Sequence, residues 1–295
     1  MSRSRPAVTF VAVDGRRRVA LAEHGDPAGR PVFLLHGTPA SRLGFELTDG
    51  PARVRQLRVI CPDRPGIGCS DPDPTRTMRE YADEVLAVAD ALGLGRFAVL
   101  GYSGGASYAL ACAAAGDGRV TATALIAGAG PIDDRPDATV GMAPSDLQLT
   151  ELSLHNPGAA ARQLRVQRIA SRIAPWLAIR TIAAEVSPPD RAALARPIGR
   201  ATVRSFVEAL RQGPAGVVDD YRLYAQPWGI AWSAITGPVH IFQGDADRYV
   251  PMHHAEDILN RLPAGVGHLH RLHGVGHFSI TERAGEIFDS VTPDR

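Results

Sequence analysis

Through about residue 130 of the chain, short apolar runs bounded by turn residues recur. Val8–Val13 and Val19–Glu23, separated by Asp14-Gly15, read as a β-hairpin. Val32–Leu35, Val59–Cys61, Phe97–Leu100 and Ala124–Ala127 are compact and largely non-alternating. Parallel strands read this way when both faces of their sheet are covered. Helical stretches separate them: roughly Leu43–Val54, Met78–Leu92 with Tyr81, Val85, Val88 and Leu92 on one face, and the segment after Ser103. Such alternation predicts an α/β fold with a mostly parallel, doubly wound sheet. After Pro131 the pattern breaks, and residues 132–235 are helical in period and punctuated by Pro and Gly. The alternation then resumes with a strand at Val239–Gln243, a helix from about His253 to Leu262, a strand at His268–Leu272 and a helix at Thr281–Val291. The expected organisation is a core in two pieces, 1–131 and 236–295, with a helical cap inserted at 132–235. Ile182–Pro197, with Pro188-Pro189 at its middle, reads as a hinge between cap helices.

Composition narrows the class. A chain of 295 residues that is 45% hydrophobic can bury a large core. Its net charge of +1 gives no global reason to expect nucleic acid or an anionic membrane as partner. All 32 basic residues are arginine. Cys61, Cys69 and Cys112 are too few and too scattered for a disulfide framework or a zinc cluster. The start, Met1–Pro6, is basic but no apolar stretch follows it, and no run approaches the length of a membrane span. The default expectation is a cytoplasmic protein with a small-molecule substrate and no nucleic-acid or membrane partner; oligomeric state is left open. Within the insertion, Arg162, Arg165, Arg168 and Arg172 share one helix face, either a solvated face or a clamp for a substrate carboxylate. Trp176, Trp228 and Trp232 either line an apolar pocket or pack the cap onto the core.

The candidate chemistry centres on Gly101-Tyr102-Ser103-Gly104-Gly105, which joins the Phe97–Leu100 strand to a stretch rich in helix formers. A strand turning into a helix within two residues forces the serine to positive φ and leaves room for nothing larger than glycine two positions either side. The turn lifts the Ser103 hydroxyl clear of the sheet and aims the amide of Gly104 at whatever that hydroxyl attacks. A serine needs a base, and the base an orienting carboxylate. Asp245 and Asp247 follow the Val239–Gln243 strand, and His277 follows the last strand. All would meet Ser103 beyond the carboxyl ends of the strands.

With His36-Gly37-Thr38-Pro39 after the third strand and Asp63 to Ser70 after the fourth, the chain resembles the α/β-hydrolase superfamily over nearly all of its core. The resemblance implies the α/β-hydrolase fold, with Ser103 as nucleophile, His277 as general base and then acid, and Asp247 orienting the imidazole. It also implies an oxyanion hole from the amides of Thr38 and Gly104, with Gly37 and Tyr102 beside the substrate, and no cofactor or metal. Serine at the elbow separates the chain from relatives that carry aspartate there, and points to acyl transfer to water from an ester, thioester, lactone, amide or vinylogous carbon-carbon bond; a biosynthetic cyclase- or thioesterase-like enzyme and a ligand-binding receptor on the same fold remain alternatives. Asp245 rivals Asp247, and Asp133 and Asp134 stand where some members carry the acid. His36 reads as framework, and Asp63 and Arg64 as fixing their own loop. His268 and His270 form a His-x-His pair without the carboxylates or cysteines a metal site would add.

Overall fold

The computed structural model describes residues 8–13, 15–135 and 137–292. The basic start Met1–Pro6 and the turn residue Asp14 lie outside them. Eight strands, β1 (Thr9–Val13), β2 (Arg17–Gly25), β3 (Arg30–Leu35), β4 (Leu57–Pro62), β5 (Phe97–Tyr102), β6 (Val120–Ile126), β7 (Val239–Gly244) and β8 (Gly267–Leu272), form one sheet. Their order is β1-β2-β4-β3-β5-β6-β7-β8. β1 and β2 are the expected antiparallel hairpin, and β2 lies antiparallel to β4. From β4 to β8 every neighbouring pair is parallel.

β3 shows why the apolar runs do not alternate. Val32 and Leu34 enter one core cluster while Phe33 and Leu35 enter the other, so each side chain is buried whichever face it takes. α1 (Asp49–Val54) and α11 (Ala284–Val291) cover one face. α2 (Met78–Ala91), α3 (Gly105–Ala115) and α10 (Met252–Arg261) cover the other. α2 opens with a capping box: Thr77 Oγ1 accepts from Glu80 N, and Glu80 Oε2 accepts from Thr77 N. Its buried face carries Tyr81, Val85 and Val88, as the apolar period predicts.

Between β6 and β7 the described residues form six helices and no strand: α4 (Pro144–His155), α5 (Pro157–Ile173), α6 (Pro175–Glu185), α7 (Pro188–Leu194), α8 (Pro197–Ala209) and α9 (Ala215–Tyr224). The first five each begin with proline, whose fixed φ suits a helix start and whose missing N–H removes one orphan donor. These helices share their own apolar cluster, including Leu149, Leu164, Leu210 and Tyr221, which closes on Ile67 of the loop after β4. Ile182–Pro197 comprises the end of α6, α7 and the start of α8, and its Asp190 is buried against a core loop. Among the described residues no helix is long and apolar enough to cross a membrane.

Candidate active site

Ser103 sits between the end of β5 and the start of α3 with φ of 53°. A Cβ on Gly101 would lie 2.4 Å from the carbonyl oxygen of Gly105, and one on Gly105 would lie 2.4 Å from that of Leu35. Both flanking positions therefore exclude any side chain, and the serine carries the left-handed backbone alone. Gly37 faces the same turn, where an added Cβ would stand 3.0 Å from Ser103 Cβ.

His277 is buried and lines the same cavity as Ser103. Its Nδ1 lies 2.9 Å from Asp247 Oδ2, which fixes that nitrogen as the proton-bearing one. Asp247 also accepts from the amides of Tyr249 (2.8 Å) and Val250 (2.9 Å) and from Gln243 Nε2 (3.2 Å), so its position is determined from three sides. Burial works against a charged imidazole, but the charge and hydrogen bond of Asp247 outweigh it. Asp190 and Asp146 add to the field, and the His277 pKa is raised above its ordinary value. Tyr102 donates its hydroxyl to the His277 carbonyl at 3.0 Å, holding the histidine backbone as well as bordering the cavity.

The loop after β3 carries Thr38, which faces Gly104 across the turn: a Cβ on Gly104 would lie 3.5 Å from Thr38 N and 3.1 Å from Thr38 Oγ1. Arg64, fully buried, holds this loop by donating to the carbonyls of His36 and Gly37 and to Thr38 Oγ1. His36 donates from Nδ1 to the Gly37 carbonyl (2.8 Å) and accepts at Nε2 from Arg64 N (3.3 Å). Burial first, and the Arg64 charge second, push its pKa down to about 3, so it is neutral framework, as expected. Asp63 meets Arg42 and the amide of Cys69, fixing its own loop.

Two aspartates of the inserted helices complete the arrangement. Asp220 of α9 accepts from Arg64 Nη2 (2.7 Å), Arg76 Nη2 (2.7 Å), Tyr108 OH (3.0 Å) and Thr38 Oγ1 (3.3 Å). Asp190 of α7 accepts from the amides of His277 (2.8 Å), Phe278 (2.9 Å) and Ser279 (2.8 Å), and from Ser279 Oγ (3.0 Å). Gly276 is required beside it, because a Cβ there would stand 2.3 Å from Asp190 Oδ2. Neither residue stands in a motif that marks it from the sequence. Asp220 had a signal: it falls on the apolar stripe Val217, Tyr221, Tyr224 of α9, where an unpaired acid could not be buried. Asp190 resembles any acid in the first turn of a helix, and nothing local marks its long-range role.

Ser103, His277, Gly37, Thr38, Gly104 and Tyr102 all line one cavity of about 410 Å³. Among the described residues no hydrogen bond joins Ser103 Oγ directly to the His277 ring. Its walls are mainly apolar, with Phe45, Leu149, Ile182, Phe206 and Phe288 among them. Among the described residues the two carboxylates on the cavity wall are Asp146 and Glu185, and no arginine lines it. Tyr221 OH donates to Asp146 at 2.8 Å, yet burial lifts the Asp146 pKa to about 6. None of the three tryptophans lines the cavity: Trp228 and Trp232 stack on each other against the core, and Trp176 is exposed.

The rival residues are engaged elsewhere. Asp245 pairs with His273 Nδ1 at 2.8 Å, and Asp134 with Arg261. Neither Asp133 nor Asp134 lines the cavity. His270 meets His240 at 3.1 Å and stacks on Phe242, while His268 stacks on His240. No cluster able to hold a metal occurs among the described residues. Arg162, Arg165, Arg168 and Arg172 lie off the cavity wall, which leaves no clamp for a substrate carboxylate there.

The family model described as the alpha/beta hydrolase family matches residues 32–290. A 2-hydroxy-6-oxononadienedioate/2-hydroxy-6-oxononatrienedioate hydrolase from Cupriavidus pinatubonensis is 29% identical over 272 residues, 89% of this chain and 85% of that protein. The dihydrolipoyllysine-residue acetyltransferase component of the acetoin cleaving system from Pseudomonas putida is 34% identical over 117 residues, 39% of this chain. The chain spans only 31% of that protein's length. Among solved structures, a bromoperoxidase from Bacillus anthracis superposes with a TM-score of 0.74 at 16% identity, over 98% of this chain and 100% of that one.

Proposed function

The chain belongs to the alpha/beta hydrolase family, and from that premise we propose that it is a serine hydrolase cleaving an ester, lactone or related acyl bond of a small or medium apolar substrate. Ser103 Oγ attacks the acyl carbon while His277 Nε2 takes its proton, and Asp247 steadies the imidazolium that results. The negative oxygen of the tetrahedral intermediate is met by the amides of Thr38 and Gly104, with the N-terminal end of α3 adding favourable potential. His277 then returns the proton to the leaving oxygen. Water, activated by the same imidazole, releases the acid from the acyl-enzyme. The carrying observation is that the positive-φ serine and a histidine bonded to Asp247 share one largely apolar cavity.

The cavity wall also bears on substrate class. The name of the Cupriavidus relative specifies a dicarboxylate. Here the wall has Asp146 and Glu185 and no arginine, so a dianion would meet like charge in an apolar enclosure. A neutral acyl compound fits this wall better. The test is a fluorophosphonate label on Ser103 together with a panel of esters graded by chain length and charge. Ser103→Ala should lose about 10³-fold or more in kcat, and neutral aliphatic esters should outpace dianionic ones. In the wild-type protein kcat/KM should rise with pH through a midpoint above the ordinary imidazole value of about 6.5, since the base must be neutral to accept a proton. An unlabelled serine, or a Ser103→Ala protein with near-normal turnover, would overturn the reading.

A further inference from the structure

Helices α5 and α6 turn an apolar outer face to solvent. Val166, Ile169, Ile173, Trp176 and Leu177 are 66%, 57%, 78%, 60% and 48% exposed. Residues 166, 169 and 173 recur at helical spacing and form one stripe along α5, opposite its buried Ala160, Leu164 and Ser171. Trp176 and Leu177 continue the stripe onto α6, a helix with no buried residue. Isolated apolar residues on a surface are ordinary, but a run of five along two consecutive helices marks an interaction site.

The charge around this stripe has one sign. Residues 157–184 contain Arg162, Arg165, Arg168, Arg172 and Arg180 and no acidic residue, on a chain whose net charge is only +1. Among the described residues none of the five meets a carboxylate: Arg168 donates to the Val207 carbonyl, and Arg180 lies over the Trp176 ring. Arg162 falls within the stripe, and Arg165 and Arg172 run beside it. Exposed Trp, Ile, Leu and Val rimmed by arginines is the composition of a surface that lies in a headgroup layer, with guanidinium groups on phosphates and apolar side chains below them. A second copy of the chain suits the face poorly, because two-fold pairing would set five arginines against five. The inner side of the same helices lines the cavity, and Ala170, Leu177 and Thr181 are both exposed and cavity-lining, so the cavity reaches the surface along these helices.

We propose that the outer face of α5–α6 docks on an anionic lipid surface, setting the cavity mouth against the headgroups. Docking stands on the face alone; that the docked enzyme then takes amphiphilic acyl substrates from that layer rests on the hydrolase reading above. The experiment is co-sedimentation of the full chain with phosphatidylglycerol/phosphatidylcholine vesicles and with pure phosphatidylcholine vesicles. Binding should be confined to the anionic vesicles and should fall tenfold or more as salt rises from about 0.1 to about 0.5 M. Arg165→Gln/Arg172→Gln/Arg180→Gln should weaken it on the order of 100-fold, and Ile173→Glu/Trp176→Ser at least about tenfold. Thermal unfolding should be unaltered in both variants, since all five side chains are exposed. Ser103→Ala should sediment as the wild type does, so failure of hydrolysis and failure of docking are read separately. The proposal is overturned if anionic vesicles do not bind the chain, or if both variants still bind. It is equally overturned if the wild type is a dimer that the Ile173→Glu/Trp176→Ser variant makes monomeric.

Discussion

The two loops that converge on Ser103 are held by the same residue type and by opposite chemistry. The loop at His36–Pro39 hangs on Asp220, a carboxylate between two buried guanidinium groups. The loop at Gly276–Ser279 hangs on Asp190, which faces three backbone amides and two hydroxyls. Burial would raise the Asp220 carboxyl, but Arg64 and Arg76 overcome it and hold the group well below the usual carboxylate range. Its negative charge is cancelled where it stands. Among the described residues no cation stands against the Asp190 oxygens, and its charge helps to raise the His277 pKa. One carboxylate is therefore purely a tie, while the other is a tie and a source of potential.

The largest effect should come from breaking the ionic tie. Asp220→Ala leaves two buried guanidinium groups uncompensated and should cost about 3–5 kcal/mol of stability, seen as loss of folded protein or a large drop in Tm. The same carboxyl sets a pH dependence. Because its folded pKa is depressed, its contribution is complete above the unfolded value of about 3.9 and is lost as pH falls toward the folded one. Acid unfolding of Asp220→Asn should lack that component.

Breaking the amide tie should reach catalysis as well as stability. Asp190→Ala leaves three amides without acceptors, at about 1–3 kcal/mol for each one that stays buried and unpaired. Asp190→Asn keeps an accepting oxygen and removes the charge. It should lower the midpoint of the kcat/KM pH profile while changing kcat more than KM. An unchanged midpoint in Asp190→Asn would make Asp190 a neutral tie like Asp220 and erase the contrast. The smallest effect is expected for Tyr102→Phe, which deletes one hydrogen bond to the His277 carbonyl. That bond is worth about 0.5–1.5 kcal/mol, and its loss should reduce kcat less than about tenfold with no shift in the midpoint.

The parallel strands were legible because both faces of the sheet are covered, so a simple apolar run survives at Val32–Leu35 and Phe97–Leu100. The elbow was legible because its geometry admits only glycine at residues 101 and 105. What escaped reading depends on contacts between distant segments. Arg64 and Asp220 are 156 positions apart, and neither predicts the other; the local role expected of Arg64 and Asp63 describes only part of Asp63, which holds Cys69 of its own loop but also Arg42, 21 positions back. The tryptophans escaped for a related reason: composition cannot say whether an aromatic residue faces a cavity or a packed interior. The arginine face of α5 was visible as a period, but its meaning depended on the apolar stripe beside it remaining uncovered, which only the packing reveals.

Asp220 also bears on how freely this scaffold could be re-engineered. The six α-helices between β6 and β7 look like a replaceable cassette, the natural target for anyone grafting a relative's corresponding helices to change selectivity. A graft that brought no acid to the Asp220 position would strand Arg64 and Arg76 in the interior. Any chimaera of this chain must transplant the counter-charge together with these helices, or replace both arginines at once.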